Sequence, residues 1–207
     1  MIFALDLEGV LAPEIWPVIG DRFELPELAL TTRDVADFTE LMHKRVAATR
    51  TRGLKLSELQ QVAHAVEPYL GAREFMTRLR ALGQVIVISD TFHEFSDPLM
   101  QKLGGHILFA NRFELDGGGL LKGFKLRIRG QKERIVSGFH AAGFWVAAVG
   151  DSLNDLSLLK SCDFAVLYRP VEALRTQFPG APQVHNLDDA LRVLEKAALE
   201  TERNGNG

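Results

Sequence analysis

The sequence predicts an α/β protein with a parallel sheet core, a helical segment inserted after the first strand, and one β-hairpin. Three observations predict it. Short apolar runs that end in polar residues alternate with helical periodicity, the pattern of parallel strands joined by right-handed helical crossovers. The stretch from Pro13 to Pro68 carries helical stripes and no strand pattern. Asp116-Gly117-Gly118-Gly119 separates two strand-like segments, which is hairpin chemistry.

The first strand is Ile2 to Leu5, an unbroken apolar run that suits a central strand covered on both faces. It ends in Asp6 and Glu8, and Gly9 then lets the chain turn sharply and lets a ligand approach the backbone. Pro13 suits the first turn of a helix. Phe38, Leu41, Met42 and Val46 make a helical stripe within Asp34–Thr49, and Gly53 ends it. A second amphipathic helix runs from Leu56 to Val66, and Pro68 closes the segment. The division that follows is a catalytic core of residues 1–11 and 71–207 with a helical cap of residues 12–70.

Gly71 to Leu82 reads as a helix stopped by Gly83. Gln84 to Ile88 is a β-branched strand leading into Ser89-Asp90-Thr91. Asp97-Pro98 reads as a helix start, with Gly104-Gly105 as its stop. His106–Leu115 and Leu120–Ile128 form the hairpin, and Gln131–Ala142 is helical. Trp145–Val149 is a buried strand that runs into Gly150-Asp151-Ser152-Leu153-Asn154-Asp155 and a helix. Phe164–Leu167 is a short strand, helices lie near Val171–Phe178 and over Leu187–Leu199, and the polar tail Thr201–Gly207 is expected to fray.

The 207 residues suffice for one medium domain with an insertion, and 46% hydrophobic content supports a core. A formal net charge of -3 gives no support to nucleic-acid binding. The single cysteine, Cys162, allows no intrachain disulfide and suits a reducing, cytoplasmic setting. The N-terminal apolar run is too short for a signal peptide, and no apolar segment approaches the ~20 residues that span a bilayer. The six histidines show no metal-ligand spacing and read as structural or surface residues.

Three predicted strands end in polar residues: Asp6 and Glu8, then Ser89, then Asp151 with Asn154 and Asp155. Open α/β sheets bind ligands at the carboxyl ends of their strands. Clustered carboxylates repel unless a cation joins them, and an oxygen-only ligand set points to Mg²⁺. With Ser89 and a lysine to hold an anion, the set suits phosphoryl transfer with Asp6 as nucleophile.

Asp6-Leu7-Glu8-Gly9-Val10, Ser89-Asp90, Lys132 before a helix, and Gly150-Asp151-Ser152-Leu153-Asn154-Asp155 resemble, in order, the four motifs of the haloacid dehalogenase superfamily. The resemblance covers the whole chain and implies a Rossmann-like core. The last motif is specific, the first moderately so, and a lone lysine is weak. The helical insertion is similar to the cap of phosphoserine phosphatases. Lys44-Arg45-Val46 and the hairpin opening Phe109-Ala110-Asn111-Arg112 resemble the group that combines phosphoserine phosphatase and homoserine phosphotransferase activities, which also has Glu at the second acid position.

The resemblance implies that Asp6 becomes phosphorylated, that Glu8 is the general acid and base with its carbonyl toward the metal, and that Asp151 is the second carboxylate ligand. Ser89, with Asp90 beside it, and Lys132 hold phosphate. Asn154 contacts phosphate or substrate, and Asp155 supports the metal's outer shell. Arg45 pairs with the substrate carboxylate and Glu14 with its amino group, the Glu14 match needing a one-residue gap. Read alone, Arg45 and Lys132 are ordinary helix charges, Ser89 a turn residue, Asp155 a first-turn dipole partner, Asp116 a turn former and Cys162 a small packing residue. The implied function is a Mg²⁺-dependent phosphoserine phosphatase with homoserine as a second acceptor, and the resemblance admits a homodimer. The alternatives are a phosphatase of another small phosphomonoester, a catalytically dead binding relative, and a receiver-type signalling module. The last lacks an insertion after its first strand and does not carry its phosphorylated Asp there. The connections near Leu11–Pro13 and Pro68–Gly71 are expected to act as hinges for the cap.

Overall fold

The computed structural model describes residues 1–32, 34–35, 37–127 and 131–205. Its sheet is built from β1 (Ile2–Leu5), β2 (Gln84–Phe92), β3 (Ile107–Leu115), β4 (Leu121–Lys125), β5 (Val146–Gly150), β6 (Phe164–Tyr168) and β7 (Gln183–Val184). The spatial order is β4-β3-β2-β1-β5-β6-β7, and only the β3–β4 pair is antiparallel. Helices α1 (Ile15–Phe23), α2 (Pro26–Ala29), α3 (Phe38–Thr51) and α4 (Leu56–Ala63) follow β1 before the sheet resumes. The remaining helices are α5 (Ala72–Leu82), α6 (His93–Lys102), α7 (Glu133–Ala141), α8 (Leu156–Ser161), α9 (Glu172–Arg175) and α10 (Leu187–Gly205). No helix among the described residues is long and apolar enough to cross a membrane.

The apolar runs of the central strands are continuous because both faces are covered. Phe3, Leu5, Val85, Val87 and Val149 pack with Leu79 of α5 and Leu191 and Leu194 of α10. Ile2, Ala4, Ile86, Ile88, Val146 and Ala148 pack on the other face with Val136 of α7 and Leu158 and Leu159 of α8. Leu5 is in register with Val87 on one side and Val149 on the other, so β1 and β5 end within a residue of one level while β2 runs on past them.

Several expected boundaries move. Pro13 lies outside α1, which begins at Ile15. Strand β2 runs past Ile88 to Phe92, with a register shift against β3: Ile88 faces Phe109, and Phe92 faces Asn111. Four steps on one strand against two on the other leave two extra residues bulged out of β2. Helix α6 starts at His93, so Pro98 lies inside it and not at its start. A proline there cannot donate to the carbonyl four residues back. That carbonyl, on Glu94, instead accepts Gln60 Nε2 at 2.9 Å and meets His64 Nε2 at 3.1 Å, both from the α4 region. Strand β7 was not foreseen, since two residues carry no readable period. The expected fraying tail continues α10 through Gly205, and Ile128 of the expected hairpin strand lies outside the described residues.

The hairpin does more than turn. Asp116 Oδ1 accepts the backbone N–H of Gly118 and Leu120, while its Oδ2 accepts Arg50 Nη1 of α3 at 3.0 Å. Leu56 N donates to Gly119 O at 2.9 Å, and Lys102 of α6 donates to the carbonyls of His64 and Val66. Trp16 of α1 meets Phe95 and Phe113 edge-on, 5.2 and 6.0 Å between centroids. The inserted helices are therefore bound to the hairpin and to α6.

Candidate active site

The strand ends place the predicted acids together. Asp6 N donates to Val149 O, continuing β1 alongside β5 for one residue. Gly9 follows at φ +90°, and a Cβ there would lie 2.5 Å from Asp151 Oδ2. Glycine at this position thus admits the Asp151 carboxylate, where the sequence suggested only a turn and a ligand's approach. Gly150 does the same for Asp155, whose Oδ2 would lie 2.7 Å from a Cβ at Gly150.

Asp6, Asp151 and Asp155 each offer a carboxylate oxygen, and these lie within 4.8 Å of one another. Asp155 is fully buried and already engaged: Oδ1 accepts Lys132 Nζ at 2.7 Å, and Oδ2 accepts Asp151 N at 3.0 Å. Lys132, only 1% exposed, also donates to Asp6 Oδ1 at 2.9 Å and lies 3.6 Å from Asp90 Oδ2. Burial disfavours its charge, but Asp155, Asp6 and Asp90 outweigh that and hold the lysine pKa well above its ordinary value. The Asp6 carboxyl is nonetheless pushed well up, by burial and then by Asp155, with Lys132 opposing. One ammonium does not balance this many buried carboxylates. The donors are all oxygen and the missing quantity is positive charge, so the site fits a hard divalent cation.

Glu8 takes a different position. Its Oε1 accepts the Thr91 hydroxyl at 3.0 Å, so its side chain is not one of the three converging carboxylates. Burial pushes its carboxyl up to about 7, against the Thr91 hydrogen bond and Arg45. A group titrating there is matched to acid and base work at neutral pH. Ser89 Oγ accepts Thr91 N at 3.3 Å, which leaves the serine's own proton for another acceptor.

Arg45 lies in the same cavity, about 350 Å³ in volume, with Glu14 and Trp16. It is 4% exposed. Its Nη2 donates to Leu30 O at 2.6 Å, and its guanidinium sits 4.9 Å from the Trp16 ring centre. Its Nε is buried with no hydrogen-bond partner. Burial lowers its pKa to about 10, and Glu8 and Glu14 oppose the shift. Asn154 Nδ2 approaches Thr32 Oγ1 at 3.4 Å, across from the strand ends.

All ten residues singled out in the sequence therefore line the cavity or contact Lys132 at its base. Sequence reasoning missed Thr91, Trp16 and the Thr31-Thr32 pair, which also line it. Thr91 escapes strand alternation, because the register shift between Ile88 and Phe92 brings Ser89, Asp90 and Thr91 all to the cavity.

The family model for haloacid dehalogenase-like hydrolases matches residues 8–160. The chain belongs to this family. This hydrolase is 39% identical over 197 residues to the phosphoserine phosphatase ThrH of Pseudomonas aeruginosa, covering 95% of this chain and 96% of that one. It is 37% identical to a phosphoserine phosphatase of Pseudomonas syringae pv. tomato, covering 95% and 83%. Among solved structures, a phospho-aspartyl intermediate analogue of phosphoserine phosphatase shares the fold with a TM-score of 0.75 at 20% identity, covering 93% and 97%. Membership in a hydrolase family sets aside the receiver module.

Proposed function

We propose that this enzyme is a Mg²⁺-dependent phosphoserine phosphatase that works through an aspartyl-phosphate on Asp6 and also passes the phosphoryl group to homoserine. The observation that carries this reading is the buried, unpartnered Nε of Arg45 in the cavity that holds Asp6 and Lys132. One end of the cavity suits a phosphate and the other an α-carboxylate. The phosphoserine phosphatases named above, similar over nearly the whole chain, support the substrate.

Asp6 attacks phosphorus and the bond to the serine oxygen breaks, while Glu8 gives that oxygen a proton. Glu8 then takes a proton from the water that cleaves phospho-Asp6. Ser89 and Lys132 hold phosphate oxygens, Asn154 helps to orient the ester, and Asp90 and Asp155 keep the Lys132 ammonium charged. Arg45 pairs with the α-carboxylate and Glu14 with the amine. Asp6, Asp151 and the Glu8 carbonyl would hold a divalent cation, which would supply charge neutralisation for the developing phosphoryl transition state. Glu8 is one methylene longer than Asp, which leaves room for positioning error on a small water more than on an alcohol held by its carboxylate. That difference favours homoserine, a serine with one extra methylene, as a second acceptor. The lone cysteine suits a cytoplasmic setting.

Phosphate release across small phosphomonoesters, with Mg²⁺ or EDTA and with homoserine added or omitted, tests the reading. Phosphoserine should lead the series, EDTA should abolish turnover, and homoserine should yield phosphohomoserine. A preference for esters without a carboxylate sinks the substrate; a homoserine arm without product reduces the enzyme to a phosphatase only.

A further inference from the structure

The bulge in β2 puts three consecutive residues, Ser89, Asp90 and Thr91, on the cavity wall, and the chemistry above uses only the first two. Thr91 is 6% exposed and makes two contacts toward the reacting groups. Its backbone N–H points at Ser89 Oγ, and its hydroxyl donates to Glu8 Oε1 at 3.0 Å. The bulge itself is clamped from outside: Asn111, fully buried, donates from Nδ2 to Asp90 O at 2.8 Å and accepts Arg127 N on Oδ1 at 2.9 Å. A β-branched side chain on a clamped backbone has little rotameric freedom. Its hydroxyl is therefore a fixed point against which the longer, more mobile Glu8 can be set.

We propose that Thr91 is a positioning residue for both half-reactions, holding Glu8 by Oε1 so that Oε2 carries the proton to the leaving alcohol and later takes one from water. A hydroxyl that donates to one carboxyl oxygen leaves the other as the site for the transferable proton. Without it, a glutamate with three free torsions has to find the leaving oxygen unaided. This inference rests on the role proposed for Glu8, and it adds a residue that neither the motifs nor the resemblance assigned.

The test compares Thr91→Val, which keeps the shape and removes the donor, with Thr91→Ser, which keeps the donor. Rapid acid quench follows formation and decay of the phospho-enzyme on two substrates, phosphoserine and p-nitrophenyl phosphate. The second has a leaving group that departs without a proton. Misplacing a reacting group by ~1 Å costs on the order of 10²-fold, so in Thr91→Val the phosphoserine burst and the decay of the intermediate should both slow by about 10- to 100-fold. The p-nitrophenyl burst should stay within about twofold of wild type, and Thr91→Ser should recover most of both lost rates. A Thr91→Val enzyme with unchanged phosphoserine burst and decay overturns the proposal. So does a p-nitrophenyl burst slowed as much as the phosphoserine burst, because that outcome traces to the Ser89 side of the site. If wild type turns over p-nitrophenyl phosphate but not phosphoserine, the substrate reading fails by itself, and the decay rates still judge Thr91. Thr91→Ala, which only removes atoms, replaces Thr91→Val if the valine lowers the thermal midpoint.

Discussion

Replacing Gly9 by alanine separates what the fold tolerates from what the site tolerates. The new Cβ would stand 2.5 Å from Asp151 Oδ2, about 0.9 Å inside the 3.4 Å at which ordinary contact begins. The obstructed group is the end of a side chain, so the chain can still fold by turning the carboxylate away. A φ of +90° adds a backbone cost of about 1–2 kcal/mol for a residue with a Cβ. In a chain of this size that lowers the thermal midpoint by roughly 2–8 °C. Moving a catalytic carboxylate by ~1 Å costs on the order of 10²-fold. Gly53→Ala is the matched control, because Gly53 has φ +68° and nothing within 4 Å of its would-be Cβ. Thermal melts and kcat on phosphoserine at several Mg²⁺ concentrations should show both variants destabilised and only Gly9→Ala nearly inactive and in need of more metal. A Gly9→Ala enzyme that keeps a third of wild-type kcat, or that loses no more activity than Gly53→Ala, refutes the reasoning.

Asp6→Asn should abolish turnover and phospho-enzyme formation while the far-UV spectrum is unchanged; retention of a tenth of the activity in a clean preparation would remove Asp6 as nucleophile. Arg45→Ala should lose about 1.5–3 kcal/mol of kcat/KM on phosphoserine and far less on an ester without a carboxylate, an equal loss showing Arg45 to be structural. With Glu8 at about 7, its proton donation weakens as pH rises above that value and its proton abstraction weakens below it. Phospho-enzyme measured by acid quench should therefore accumulate on the acid side of neutrality and be scarce on the alkaline side. Because the folded state keeps the Glu8 proton to higher pH than the unfolded chain, stability from this group falls as pH rises from 4.5 toward 7, which urea titrations of wild type and Glu8→Gln can compare.

Much of this was legible in the chain. Ile2–Leu5 and Trp145–Val149 read as buried strands because each is an unbroken apolar run, and the acids that follow them meet at one end of a parallel sheet. Asp6, Ser89 and Asp151 were therefore within reach of local pattern. What escaped depends on partners remote in sequence. Pro98 looks like a helix start when only its neighbours are read, and its tolerance inside α6 comes from Gln60 and His64, more than 25 residues away. The reach of β2 beyond Ile88 depends on its register with β3, which no single strand encodes. Asp116 reads as turn chemistry until Arg50 of α3 arrives at its second oxygen. Lys132 is the reverse case: nothing nearby in sequence marks it, and burial among Asp6, Asp90 and Asp155 is what separates it from a surface lysine.

The Glu94 carbonyl left vacant by Pro98 ties one side of the inserted helices down. Its bonds to Gln60 and His64, and those of Lys102 to the His64 and Val66 carbonyls, bind the α4 side of the inserted helices to α6. The cavity's exposed rim lies elsewhere, at Leu153, Asn154 and Ala173. Among the described residues that line the cavity, only these three are exposed. On the reaction proposed above, serine would leave across that rim before water or a second alcohol meets phospho-Asp6. A covalent intermediate formed before the acceptor binds gives ping-pong order, and its signature is a family of parallel double-reciprocal lines when donor and acceptor are varied together.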